Sequence, residues 1–120
     1  MSRILIVDDE VDVVKLMKLT LKKYGYEIFS ATDGEMGVAL SKETKPDFIL
    51  LDVKLPKMSG YEVFKAIRKE PELTQIPIVF ATADASVNVT ENVELLGAQG
   101  YLLKPFAMSE LIGKIQQFLN

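Results

Sequence analysis

The sequence predicts an α/β fold, a five-stranded parallel sheet with helices on both faces, and three observations lead there. Short apolar runs of strand length recur five times, stretches with helical spacing separate them, and no repeat, low-complexity tract or linker breaks the alternation. Parallel neighbours need long crossover connections, and right-handed crossovers put helices against the sheet. At 120 residues with 48% hydrophobic content, the chain fits one domain, residues 1–120, with a real core.

In order, the first run is "RILIV", Arg3 to Val7, followed by Val11, Val14, Leu16, Met17 and Leu21 at helical spacing, with Gly25 as the stop. "EIFSA", Glu27 to Ala31, is the second strand, and Asp33-Gly34 starts a helix carrying Met36, Ala39 and Leu40. "DFILLD", Asp47 to Asp52, is the third. Ser59-Gly60 then opens a helix with Val63, Phe64 and Ile67 on its apolar side. "IPIVFAT", Ile76 to Thr82, leads into a helical segment from Ser86 to Leu96 that stops at Gly97; "GYLL", Gly100 to Leu103, leads into the last, Met108 to Leu119.

Composition removes several classes of function. With 14 Lys and Arg against 17 Asp and Glu, the formal charge of -3 gives no global basic field, so direct nucleic-acid binding by this domain is not expected. There is no cysteine and no histidine, which excludes His/Cys zinc sites, disulfide staples and histidine-based catalysis. The apolar run near the start of "MSRILIVDDE" is too short for a signal peptide or a membrane span, so a cytoplasmic location is expected. Any chemistry rests on carboxylates, hydroxyls and lysines.

Ligands of open parallel sheets bind outside the carboxyl ends of the strands. There the sequence gathers Asp8-Asp9 after the first strand, Asp52 at the end of the third, Thr82-Ala83-Asp84 after the fourth and Lys104-Pro105 after the fifth; Glu10 begins the first helix. Two like charges at about 4 Å repel by roughly 4 kcal/mol at an effective dielectric of about 20, so clustered carboxylates require a cation or shifted pKa values. Few protein ligands and an open side favour Mg²⁺ over a Ca²⁺ cage. Singly, each residue has a plain alternative: Asp8 and Asp9 as helix-capping acids, Asp52 as a solvated strand end, Thr82 as an ordinary β-branched strand residue, Lys104 as a surface lysine. Together they supply the parts of one phosphoryl-transfer site. In such a site Asp52 would be the nucleophile, a metal would bridge it to one phosphoryl oxygen, Lys104 would pair with a second and Thr82 would donate to a third.

The four stretches "VDDE", "LLDVKLPKMSGYE", "ATA" and "LLKPF" together resemble the receiver domains of two-component response regulators, of the chemotaxis-regulator type. The resemblance runs the length of the chain and implies a flavodoxin-like (βα)5 fold with strand order 2-1-3-4-5. It implies that Asp52 accepts a phosphoryl group from a histidine kinase or histidine phosphotransfer protein. Asp9 becomes a direct Mg²⁺ ligand, Asp8 assists through water, and the backbone carbonyl of Lys54 completes the set. Thr82 becomes the switch hydroxyl, Tyr101 the switch aromatic and Lys104 the phosphate contact, before a cis Lys104-Pro105 bond. The face formed by the fourth helix, fifth strand and fifth helix then controls a downstream protein or effector domain, and serves as a dimerisation surface. The module catalyses its own phosphorylation and dephosphorylation without being an enzyme in the usual sense.

The chain departs from its relatives in places. Lys54 and Asp84, each two residues beyond a site residue, flank the path of the hydrolytic water; their opposite charges are expected to pair across the mouth and tune phosphoryl lifetime. "SVNVTENVELL" has low helix propensity, and valines Val87, Val89 and Val93 beside Tyr101 divide between core and a mobile output face. Ala107 stands where a capping Asp is usual, leaving Ser109 to cap the last helix. A haloacid-dehalogenase-like phosphatase also uses a strand-end Asp with Mg²⁺, but it requires Asp-x-Asp, and Asp52-Val53-Lys54 offers a lysine instead. A flavodoxin-like FMN carrier is disfavoured by the acidic "VDDEVD" in the phosphate loop.

Overall fold

"FILLD" is buried at every position, which a strand tolerates only when both faces of its sheet are covered. A computed structural model describes residues 2–84 and 86–119, Val87 through its backbone alone. In chain order the elements are β1 (Arg3–Val7), α1 (Val11–Lys22), β2 (Glu27–Ala31), α2 (Gly34–Thr44), β3 (Phe48–Asp52), α3 (Gly60–Arg68), a 3-10 turn at Pro71–Leu73, β4 (Ile78–Thr82), α4 (Val87–Leu96), β5 (Gly100–Leu103) and α5 (Met108–Leu119). All strand pairs are parallel, in the order β2-β1-β3-β4-β5. This is the flavodoxin-like (βα)5 arrangement, with the expected strand order.

The alternation of side chains along each strand divides the core in two. Leu5, Val7, Ile49, Leu51, Ile78 and Phe80 pack with Val63, Phe64 and Ile67 of α3 and with Val89 and Val93 of α4. On the other face Ile4, Ile6, Leu50, Val79 and Ala81 pack with Val14, Met17 and Leu21 of α1 and with Leu111, Ile112 and Ile115 of α5. Val89 and Val93 are therefore core residues, whereas the Val87 side chain lies outside the described residues. Leu95 is 85% exposed on the outer side of α4.

Helix boundaries follow local chemistry. Asp33 caps α2 by accepting from Met36 N at 2.8 Å, and Ser59 and Glu62 form a reciprocal capping box at the start of α3. Gly97 closes α4 at φ 80°, a left-handed conformation that glycine adopts without a Cβ penalty. Ser109 does not cap α5. That helix begins after Ala107, and the Glu110 carboxylate reaches back to accept from Ala107 N at 3.2 Å, half of a capping box made from the far side. Two strands start later than expected. β3 begins at Phe48, with Asp47 tied to Arg3 both by its N–H donating to Arg3 O at 2.7 Å and by its carboxylate accepting from Arg3 N at 2.8 Å, and β4 begins at Ile78, since Pro77 has no N–H to give the ladder. No described helix is long and apolar enough to cross a membrane.

Gly60 presses the first turn of α3 against the end of β3, its N–H donating to Val53 O at 2.8 Å, and a Cβ there would collide with the Asp52 carbonyl oxygen. Gly113, inside α5, has open space around its Cβ position. Gly60→Ala is expected to lower stability by about 1–3 kcal/mol, because backbone rather than a flexible side chain must yield. Gly113→Ala is expected to raise it by about 1 kcal/mol. Urea unfolding of the two variants checks both signs.

Candidate functional site

The strand registers end nearly level: Val7 lies opposite Ala31 and Leu51, Asp52 opposite Ala81, and Thr82 opposite Leu103. The residues that finish or follow β1, β3, β4 and β5 therefore emerge at one edge. Asp8 N donates to Ala31 O and Lys104 N to Thr82 O, so the ladders hold both residues in place just beyond their strands. The Lys104-Pro105 bond is cis, as expected. Among the described residues five polar ones are buried, and their partners separate them into two kinds. Ser41 and Thr44 bond back to carbonyls of their own helix, whereas Asp8, Asp52 and Thr82 converge on the edge of the sheet.

At that edge the Lys104 ammonium is the hub. Its Nζ donates to Asp8 Oδ2 at 2.7 Å, to Glu10 Oε1 at 2.7 Å and to Asp52 Oδ2 at 3.0 Å. Burial alone would lower the lysine pKa, but the hydrogen bonds it donates to Asp8, Glu10 and Asp52 outweigh it and hold the group above the ordinary lysine value. For Asp52 burial dominates and raises its carboxyl above the ordinary Asp value, against the opposing pull of Lys104. The second oxygens are used as well: Asp8 Oδ1 accepts from Glu10 N at 2.9 Å and Asp52 Oδ1 from Lys54 N at 3.2 Å. Three carboxylates around one ammonium leave two negative charges uncompensated. This donor set of hard oxygens, all within 4.8 Å of one another, can hold a divalent cation.

A cleft of about 530 Å³ opens over Asp52, with Asp9, Lys54, Thr82 and Asp84 in its walls. The third acid of the compact cluster is Glu10, which the sequence reading placed only at a helix start; Asp9 lines the cleft outside it. The chain bends at Asp9, where Glu10 N donates to Asp8 Oδ1, and this local turn brings the Asp8 and Glu10 carboxylates to Lys104 while Asp9 faces the cleft. The third acid of "VDDE" was a visible signal, but its direction was not. Glu10 stands at the N-cap of α1 without capping it, because its carboxylate is committed to Lys104.

Thr82 is buried, and its Oγ1 accepts from Asp84 N at 3.0 Å. Tyr101, in register with Phe80, is 38% exposed. Lys54 and Asp84 line the same cleft, but among the described residues no ion pair joins them: Asp84 folds back to accept from Ser86 N at 2.8 Å. Hydrogen bonds from Ser86, with a smaller contribution from Lys54, hold Asp84 below the ordinary Asp value. The expected charge pair across the mouth is thus replaced by a local loop bond. Beside the cleft, sharing Glu10, Ala83 and Lys104 with it, an apolar groove of about 350 Å³ runs between Val13 and Leu16 of α1 and Phe106 and Met108 before and in α5.

A doubly wound parallel sheet with acids, a hydroxyl and a lysine at its carboxyl edge defines a class of phosphoryl-transfer and cation-binding proteins. Residues 4–116 match the response regulator receiver domain family, and the chain belongs to it: it is a receiver module of two-component signalling, a phosphotransfer switch rather than a conventional enzyme. Similar solved structures include the chemotaxis protein CheY4 of Vibrio cholerae, 33% identical over 99% of both chains with a TM-score of 0.93. The receiver domain of the sensor histidine kinase PA1611 of Pseudomonas aeruginosa, whose structure has a magnesium ion coordinated in its active-site cleft, is 31% identical, covering 98% of this chain and 96% of that one, TM-score 0.89. A CheY-like receiver protein of Methanospirillum hungatei is also 31% identical, over 98% and 92%, TM-score 0.89.

Because burial raises the Asp52 pKa, the stability its protonated form contributes is fully present below the unfolded Asp value and is lost as pH rises through the folded value. Asp52→Asn, which never ionises, is therefore expected to melt a few degrees higher than the parent at pH 7 in chelator, an advantage that shrinks as pH falls below the ordinary Asp value of about 4. Scanning calorimetry across that range checks it. A lower melting point at pH 7 would mean that Asp52 matters to the fold chiefly as an acceptor for Lys104.

Proposed function

We propose that Asp52 is the phosphoacceptor of this receiver. The observation that carries the reading is a buried carboxylate open to a cleft on one side and bonded to a fixed ammonium on the other. An Asp52 oxygen attacks the phosphorus of a phosphohistidine; the new O–P bond forms as the N–P bond breaks, and the electron pair returns to the donor's imidazole. Lys104 meets the charge on the phosphoryl oxygens, and the Thr82 hydroxyl turns from the Asp84 loop to donate to one of them. Asp8, Asp9, Asp52 and the Lys54 carbonyl would hold Mg²⁺, which would supply charge neutralisation for the transfer. The magnesium in the Pseudomonas kinase receiver supports this choice of metal. In the reverse direction water attacks phosphorus, the acyl O–P bond breaks, and Asp52 and inorganic phosphate are released.

The donor is a histidine kinase or histidine phosphotransfer protein, for which the apolar groove opening onto the cleft offers a seat. Output runs through the α4-β5-α5 face, where Leu95, Tyr101 and Leu103 are exposed to a downstream protein, an effector domain or a second copy of the chain. A haloacid-dehalogenase-like activity finds no support, since Lys54 stands where that chemistry needs a second Asp.

With Mg²⁺ and acetyl phosphate, intact mass spectrometry is expected to find one phosphoryl increment, mapped by borohydride reduction to Asp52. Asp52→Asn should take no label, and Asp9→Ala should lose the Mg²⁺ dependence of labelling. Full labelling of Asp52→Asn would remove the assignment.

Lys54 sets the lifetime of the phosphoryl group by lying over the line of approach of water, and its stem rather than its charge is what counts. Lys54→Ala is expected to speed dephosphorylation severalfold with little change in melting temperature, while Asp84→Ala does less. Decay of the labelled protein after donor removal measures this. An unchanged or slower decay for Lys54→Ala would mark the side chain as a bystander.

A further inference from the structure

Lysine has three N–H donors, and Lys104 spends all three on Asp8, Glu10 and Asp52. In this state it has none left for a phosphoryl oxygen, and it sits among the oxygens that would surround a divalent cation. The three acceptors are not alike. Asp8 and Asp52 are buried, each with its second oxygen engaged by a backbone N–H, so releasing either from Lys104 leaves a buried anion short of a partner. Glu10 is the exception. Its side chain is 55% exposed, among the described residues only Oε1 is engaged, and water can replace the lysine.

We propose that Lys104 is a tethered counter-ion that competes with the divalent metal for the Asp8–Asp52 carboxylates, and that Glu10 is the positioning residue that holds it there in the metal-free protein. Glu10 does this from the solvent side, as a holder that lets go at little cost. Metal arrival and lysine release are then one event. The cation takes over the buried carboxylates, the ammonium swings free of them, and a donor that was saturated becomes available to the incoming phosphoryl group. Without Lys104 the metal-free cluster would carry the repulsion of three acids with nothing between them. Glu10 acts through Lys104, not as a ligand, and removing its charge should ease metal entry rather than hinder it.

The inference rests on the reading that Mg²⁺ binds this cluster, and a double-mutant cycle separates the two. Mg²⁺ affinity is measured by titration calorimetry for the parent, Lys104→Met, Glu10→Gln and the double variant. Competition predicts that Lys104→Met binds Mg²⁺ at least about fivefold more tightly than the parent, the lower end of ordinary coupling between two binding events. Glu10→Gln should bind more tightly than the parent when Lys104 is present, but not when it is replaced, giving non-additive effects. Thermal melting with and without Mg²⁺ gives a second reading, which covers a Lys104→Met protein too unstable to titrate: the rise on adding Mg²⁺ should be larger for Lys104→Met and for Glu10→Gln than for the parent. Unchanged or weaker Mg²⁺ binding in Lys104→Met overturns the competition. An equal loss from Glu10→Gln in both backgrounds overturns its role and makes it a metal ligand. Absence of Mg²⁺ binding from all four proteins overturns the reading of the cluster as a metal site, and the competition with it.

Discussion

Three carboxylates and one ammonium at the carboxyl edge of the sheet form the interaction on which the rest of this protein depends. A parallel sheet brings its strand ends together whatever they carry, and here two of the ends carry buried acids. Like charges that close are costly in a partly dehydrated site, and the cost is met by a lysine from a strand end 52 residues away from Asp52. The pairing is incomplete by charge, which leaves the edge ready for a divalent cation and, after it, a phosphoryl group. A better-neutralised site would be more stable and would bind less.

The same edge is tied through β4 and β5 to the α4-β5-α5 side of the fold. Thr82 ends β4, its carbonyl accepts from Lys104 N, and β4 pairs along its length with β5, which carries Tyr101. The Thr82 hydroxyl is occupied by the backbone N–H of Asp84, in the loop that leads into α4. That bond ties Asp84 to the end of β4, the strand whose Ala81 lies opposite Asp52. Hydrogen bonds thus run without a break from the Lys104 backbone through Thr82 to Asp84, and along β4 to β5.

Backbone packing around Asp52 shows how firmly the site is founded. Both oxygens of Asp52 are bonded, and Gly60 brings the start of α3 against its carbonyl so closely that no larger residue fits. The capping box at Ser59 and Glu62 fixes that helix start, and Val63, Phe64 and Ile67 bury it against the sheet. Rigidity beneath the acceptor contrasts with the open cleft above it, where Lys54 and Asp84 face solvent. Geometry is thereby held on the side where a misplacement would be most costly to transfer.

The five strands, their parallel pairing and the gathering of Asp52, Asp8, Thr82 and Lys104 were all legible in the sequence. Each depends on short-range patterning: apolar runs of strand length, helical spacing between them, and chemistry concentrated just past the runs. The caps at Asp33 and Ser59 were legible for the same reason, since a cap is satisfied within three or four residues. Side-chain direction was not. That Glu10 joins Asp8 around Lys104 depended on bringing together groups 94 and 96 residues from that lysine, whereas Asp84 turning to Ser86 and Glu110 reaching back to Ala107 are local bonds for which the sequence offered competing partners, Lys54 for the first and Ser109 for the second. Sequence determines which groups reach the edge because burial drives the pattern of strands; tertiary structure alone decides which groups touch, because a hydrogen bond is directional and its partners are fixed only after the sheet has assembled.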